Sequence, residues 1–148
     1  MPARYRVFLD TSALLAAVAS EVGGAAQILL LAEAGQLEIL VTRQVITEAE
    51  RNVRRKLPGG LSFLQQALMP LLHLLPDPSP EAVGACERMI ASSADAPILA
   101  AAMAAQVDYL VTLDRKHFLD DPGVAHKSGL RIGTPGDFLA WLRSQLRI

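Results

Sequence analysis

Short runs rich in aliphatic and β-branched residues alternate along this chain with longer segments of helical period, which restricts the fold more than any single motif does. Such a succession buries its apolar faces when parallel strands form a central sheet and helices cover both surfaces. The expected fold is α/β: an open three-layer domain with a central, mostly parallel sheet of four to five strands covered by helices. At 148 residues the chain is expected to form a single domain over 1–148, burying roughly two-thirds of its unfolded surface.

Tyr5 to Leu9 reads as the first strand, and Asp10-Thr11-Ser12 then offers capping oxygens to an Ala/Leu-rich helix that Gly23-Gly24 breaks. Ala25 to Ala34 is a second helix closed by Gly35, and Leu37 to Thr42 a second strand. Over Arg43 to Leu57 a stripe of Val45, Ile46, Ala49, Val53 and Leu57 recurs at helical spacing, with a largely basic opposite side. Leu61 to Leu72 is an apolar helix interrupted at Pro70, followed by a short strand over Leu72 to Leu75. Ser79 and Pro80 open another helix. Asp95 to Gln106 is apolar on nearly every side and so belongs in the interior, before strands at Tyr109 to Thr112 and Leu130 to Gly133. Thr134-Pro135-Gly136-Asp137 starts the C-terminal helix, on which Phe138 and Trp141 read as core.

Several classes of function are disfavoured. The only cysteine, Cys86, excludes an internal disulfide framework and a zinc site built on several thiolates, and reads as a small core residue. The longest apolar run, Ile98 to Ala105, is far short of a bilayer span, and the N-terminus lacks the features of a signal peptide, so a cytoplasmic protein is expected. Neither G-x-G-x-x-G, G-x-x-x-x-G-K-[ST] nor G-x-S-x-G occurs.

Acids mark the strand ends. In an open α/β sheet the functional crevice lies beyond the carboxyl ends of the strands, where strand order reverses. Asp10 follows the first strand, Asp114 follows the Tyr109 to Thr112 strand after one residue, Asp95 opens the buried helix, and Glu48 lies in the first turns of the helix after the second strand. Each has a plainer reading, as a helix cap, a turn residue or a solvated side chain. Four carboxylates meeting at one edge would repel unless a cation neutralised them. Oxygen ligands with no evident convergent His or Cys favour Mg²⁺ or Mn²⁺, ions suited to in-line phosphodiester cleavage.

The ordered set Val7-Phe8-Leu9-Asp10-Thr11-Ser12-Ala13-Leu14-Leu15, Glu48, Asp95-Ala96-Pro97-Ile98-Leu99-Ala100-Ala101-Ala102 and Val107-Asp108-Tyr109-Leu110-Val111-Thr112-Leu113-Asp114 resembles the PIN domain, the fold of metal-dependent ribonucleases that includes VapC-type toxins of toxin–antitoxin pairs. Ile132-Gly133-Thr134-Pro135-Gly136-Asp137-Phe138-Leu139 resembles that family's last strand and helix. The resemblance implies that Asp10, Glu48, Asp95 and Asp114 are the catalytic, metal-holding acids, and that Thr11, Ser12 and Thr112 orient ligands or contact phosphate. Arg115-Lys116-His117 stands where many members carry a further acid. On a helical wheel Glu50 borders the apolar stripe more closely than Glu48, whereas the family pattern favours Glu48.

A net charge of −1 argues against broad electrostatic wrapping of nucleic acid but leaves room for local basic patches. Arg43, Arg51, Arg54, Arg55 and Lys56 share the helix of Glu48, and Arg115 and Lys116 follow Asp114; these are candidate phosphate contacts or simply a solvated face. Aromatic residues are few, so structured RNA read by shape suits the chain better than stacked single strands. His73, His117 and His126 read as ordinary surface histidines, although His117 lies close to Asp114. The apolar segments Ile28 to Leu31 and Leu68 to Leu75 suggest a homodimer or a groove for a partner's helix, and the resemblance implies a dimeric toxin held by an antitoxin. The leading expectation is a Mg²⁺- or Mn²⁺-dependent endoribonuclease; the alternative is a non-catalytic RNA- or protein-binding module on the same fold.

Overall fold

A computed structural model describes residues 4–146. Five strands, β1 (Tyr5–Leu9), β2 (Leu37–Val41), β3 (Leu72–Leu74), β4 (Tyr109–Val111) and β5 (Ile132–Gly133), form one entirely parallel sheet in the order β3-β2-β1-β4-β5. Val7, Phe8 and Leu9 of β1 and all of β4 are buried, as the central strands of a sheet covered on both faces must be. From β1 the chain winds outward to β2 and β3, then crosses back to β4 on the other side of β1. Right-handed crossovers in the two directions put the helices that lead into β2 and β3 and the helices that lead into β4 on opposite faces, and the reversal lies between β1 and β4.

Helices α1 (Thr11–Ala19), α2 (Gly24–Glu33) and α3 (Arg43–Lys56) pack together on one face, joined by α8 (Pro135–Leu146), while α5 (Pro80–Glu87) and α6 (Ala96–Ala104) form a pair. The α3 stripe behaves as its spacing demands: Val45, Ala49 and Val53 are buried, and Leu57 lies at the exposed C-terminal end. Five residues of α6 in succession, Ile98 to Ala102, are buried, the all-round burial its composition requires. After α2, Gly35 takes φ +78°, and the Gln36 N–H bonds the Leu31 carbonyl at 3.0 Å, a left-handed cap that turns the chain into β2.

Two segments differ from the sequence expectation. The apolar helix expected over Leu61 to Leu72 begins as α4 (Leu61–Phe63), widens to π pitch over Leu64–Leu68 and tightens to 3₁₀ pitch over Met69–Leu71. Pro70 has no N–H to continue an α ladder, and the chain changes pitch around it. Between β4 and β5, where no helix was expected, stand a π turn over Arg115–Leu119 and α7 (Pro122–Ser128). Their anchors are short: Phe118 and Val124 are buried, the Asp121 carboxylate accepts from the Gly123 N–H, and Gly129 closes α7 at φ +73°.

An aromatic cluster ties the end of the sheet to α8. Tyr109 meets Phe138 edge to face at 5.2 Å between centroids, Tyr5 meets Trp141 at 5.5 Å, and the Arg131 guanidinium lies 4.9 Å over the Trp141 ring. Thr134 Oγ1 accepts from the Asp137 N–H at 3.1 Å while the Asp137 carboxylate accepts from the Thr134 N–H at 3.0 Å, a reciprocal box at the start of α8. A Cβ on Gly133 would lie 2.5 Å from Tyr109 Oη and 2.8 Å from Asp137 Cβ, inside this junction. Gly133→Ala is expected to cost about 1–3 kcal/mol, read as a lower denaturant midpoint with an unchanged slope; an unchanged midpoint would show that the junction yields freely.

Candidate functional site

Thr112, which follows β4, is fully buried, and Asp10, which follows β1, is 5% exposed. They are joined across the strand reversal. The Asp10 N–H bonds the Val111 carbonyl at 3.2 Å, extending the β1–β4 ladder by one residue. Asp10 Oδ1 accepts from the Ser12 hydroxyl at 2.6 Å and the Ala13 N–H at 3.0 Å, and Oδ2 accepts from the Thr112 hydroxyl. Asp10 is therefore an N-cap of α1 as well as a wall of the crevice, and three donors leave part of its acceptor capacity free. Thr112 Oγ1 in turn accepts from the Asp114 N–H at 3.0 Å, and Ser12 Oγ accepts from the Leu113 N–H at 2.9 Å. The two hydroxyls thus hold the strand end that carries Asp114 against the start of α1.

Glu48 reaches the same edge from α3. Its Oε2 accepts from the Thr11 hydroxyl at 2.9 Å and its Oε1 from Gln44 Nε2 at 3.0 Å, and Gln44 also donates to the Ala94 carbonyl at 3.0 Å beside Asp95. Glu50 turns elsewhere, to Gln65 at 3.4 Å and Arg54 at 3.9 Å. Of the two acids weighed for this helix, Glu48 faces the crevice.

Asp95 occupies the N-cap position of α6 yet makes no capping bond. Its carboxylate instead points toward His117, with Oδ2 at 3.5 Å from Nδ1, and the same nitrogen lies 3.0 Å from Asp114 Oδ2. One donor atom from each of Asp95, Asp114 and His117 falls within 4.8 Å of the others. This corrects two expectations: a histidine does converge with the acids, and His117 is not an ordinary surface side chain. The physical cause is the π turn: Asp114 Oδ1 accepts from the His117 N–H at 3.1 Å, and buried Phe118 anchors the turn, so the ring folds back over its own cap residue. The three-residue spacing from Asp114 to His117 was the available signal. Gln44, which links Glu48 to the entrance of α6, carried none.

Burial, opposed by hydrogen bonds from Ser12, Thr112 and the Ala13 N–H, leaves the Asp10 carboxyl above its ordinary range, and Asp95 pushes it further. Burial likewise raises Asp95, and the neighbouring Asp114 and Glu48 charges add to that rise against a Ser92 hydrogen bond and His117. The donor set and its mutual repulsion fit a divalent cation, which Asp95, Asp114 and His117 could hold directly with Asp10 and Glu48 alongside.

The basic residues divide. Arg43 and Arg51 line a shallow depression with Gln44, Thr47, Glu48 and Asp77, next to the acids. Lys56 lines a second depression with Ser12, Asn52 and the exposed Leu113. Arg54 pairs with Glu50, and Arg55 donates to Asn52 at 3.2 Å, both on the solvated side of α3. Arg115 is largely exposed and lies 4.0 Å from Asp120. His73 of β3, 3.4 Å from Glu38 of β2, takes no part. Cys86 is buried, with its sulfur 3.6 Å from that of Met103.

A parallel sheet covered by helices, with acids gathered where its strand order reverses, defines an α/β domain with a candidate acidic metal centre. The family model of the PIN domain matches residues 6–116, and the chain belongs to that family, whose members are generally nucleases. No curated protein matches it by sequence. Similar solved structures include PAE2754 from Pyrobaculum aerophilum, 19% identical with a TM-score of 0.66, covering 96% of this chain and 99% of that one. VapBC2 from Rickettsia felis, bound to a DNA fragment from its promoter, is 22% identical with a TM-score of 0.61 over 86% of this chain and 96% of that one. VapC20 of Mycobacterium tuberculosis, described as a Sarcin-Ricin loop cleaving toxin, is 14% identical with a TM-score of 0.55 over 74% of this chain and 91% of that one. The first of these likenesses extends the shared fold over nearly all of the chain.

Because Asp95 is raised in the folded state, its ionised form opposes folding at neutral pH, and that opposition fades as pH falls through its raised value, where the native form takes up the proton first. Asp95→Asn is expected to raise the melting temperature of the metal-free protein at pH 7 by roughly 2–4 °C, the effect of ~1 kcal/mol in a chain of this size. The gain should shrink toward pH 5 in differential scanning calorimetry. A lower melting temperature at pH 7 would show that the carboxylate is already compensated.

Proposed function

We propose that this protein is a divalent-metal-dependent endoribonuclease and the toxin component of a toxin–antitoxin pair. The observation that carries the reading is the meeting of Asp10, Glu48, Asp95 and Asp114, from four separate segments, at the β1–β4 reversal. Capping accounts for Asp10 and for one oxygen of Asp114, but not for Glu48, and it leaves Asp95 with no capping bond.

When bound, a Mg²⁺ or Mn²⁺ ion would supply the activation of water and the charge stabilisation that phosphodiester hydrolysis needs. The protein's own residues set the geometry. Asp95 and Asp114 would hold such an ion, Asp10 is aimed by Ser12 and Thr112, and Glu48 is braced by Thr11 and Gln44 at the same wall. Arg43 and Arg51 beside Glu48, with Arg115 and Lys116 beyond Asp114, offset the acids and receive backbone phosphates on either flank of the scissile bond. The depression beside Glu48 is shallow and, among the described residues, no aromatic side chain lines it, which supports a structured RNA loop presented by shape as substrate.

The likeness to a VapC toxin and to a VapBC complex supports an antitoxin as partner. A cleft of about 380 Å³ between α1 and α2, walled by Val18, Leu29, the exposed Leu30 and Phe63, gives either an antitoxin segment or a second copy of the chain an apolar surface to cover. No single described helix is long and apolar enough to cross a membrane, in keeping with a cytoplasmic role.

Purified protein with Mn²⁺ is expected to cleave a structured RNA, and Asp10→Asn and Asp114→Asn each to lose about a hundredfold or more of that activity in a gel-based assay. Undiminished cleavage by both variants would remove the carboxylates from the chemistry. RNA binding by the wild type with no cleavage under either metal would select the non-catalytic binding module instead.

A further inference from the structure

We propose that His117 is itself a metal ligand, and that Asp95, Asp114 and His117 form a mixed carboxylate–imidazole centre that selects Mn²⁺ over Mg²⁺. The proposal rests on the nuclease reading of this edge and specifies its cofactor.

The geometry comes first. At bond lengths of about 2.1 Å, adjacent donors of an octahedral ion lie about 3.0 Å apart. Nδ1 of His117 is 3.0 Å from Asp114 Oδ2 and 3.5 Å from Asp95 Oδ2, the spacing of neighbouring ligands around one ion. Nδ1 is the ring nitrogen aimed at the acids, and the ring is kept there from both ends. Asp114 spends its other oxygen on the His117 N–H, and the next residue, Phe118, is 3% exposed within the core. Oδ2 of Asp114 is hydrogen-bonded to Nδ1 itself, so an ion entering between them would displace the shared proton and take both atoms as ligands. The neighbouring cations do not fill this role: Arg115 is directed to Asp120, 4.0 Å away on the surface.

Donor chemistry decides between the metals. Mg²⁺ prefers an all-oxygen shell and releases its waters reluctantly, whereas imidazole suits first-row transition ions and carboxylate suits Mn²⁺ as readily as Mg²⁺. An imidazole in place of a further acid also removes one negative charge from the centre. That loss weakens every divalent ion alike through Coulomb attraction, and only an ion that accepts nitrogen recovers it in a bond. The centre is therefore biased toward Mn²⁺ by the identity of residue 117.

Pulsed electron paramagnetic resonance of Mn²⁺ on the full-length protein is expected to show coupling to a directly bound imidazole nitrogen, and His117→Gln to abolish it. In thermal-shift titrations the wild type should bind Mn²⁺ about tenfold or more tightly than Mg²⁺, and His117→Asp should bring the two within about threefold. The Asp variant restores an oxygen shell, so it separates ligand identity from loss of fold. Mn²⁺ bound without nitrogen coupling, or an unchanged preference in His117→Asp, overturns the proposal and leaves the nuclease reading standing. Failure of the wild type to bind Mn²⁺ at all overturns this proposal, and if cleavage is also absent with every metal the nuclease reading falls with it.

Discussion

The hydrogen bonds around the Asp10 carboxylate are the constraint on which the rest of this structure depends. They join three things that the chain keeps far apart: the carboxyl end of β1, the first turn of α1, and the carboxyl end of β4, 102 residues downstream. A buried carboxylate is costly, and burial has indeed driven this one upward, yet its donors make it the fastener of the β1–β4 reversal. Among the described residues no buried side-chain polar atom is left without a hydrogen-bond partner. The polar edge is thus complete as a structure while still presenting a cluster of acids to the crevice.

Those acids are held under tension. Asp95 is the member with least local support: it makes no cap, and two neighbouring carboxylates press against it. Proteins keep such arrangements where function requires them, and the usual relief is a cation. The histidine in this cluster changes what sort of cation gives that relief. A basic-looking run after β4, which on its face weakens a metal site, contains the one residue whose nitrogen enters it.

Much of this was legible in the sequence. Strand runs, the stripe on α3, the Ala-rich α6 and the box at Thr134 and Asp137 all rest on local patterning, and tertiary packing followed it. The acids at strand ends were equally visible because the sheet's topology assigns a meaning to that position. The choice between Glu48 and Glu50 was not, since a helical wheel shows which residues border the apolar stripe but not which border faces α1. Nor was His117, because Arg115-Lys116-His117 reads as a solvated basic run until the chain bends at Asp114. Asp121-Pro122 and Gly129 do carry start and stop signals for α7, but the segment between is too short and polar to show a period.

The order of the strands also governs when a site can exist. Asp10 and Glu48 leave the ribosome early, Asp95 and Asp114 late, and the two pairs meet only when β4 inserts beside β1. Contacts of such long sequence separation are slow to form because the intervening loop must close first. A growing chain that has already laid down β1, β2 and β3 still holds half a centre, and cannot assemble the other half until β4 has emerged. The topology itself thus withholds the acidic centre until β4 is in place beside β1.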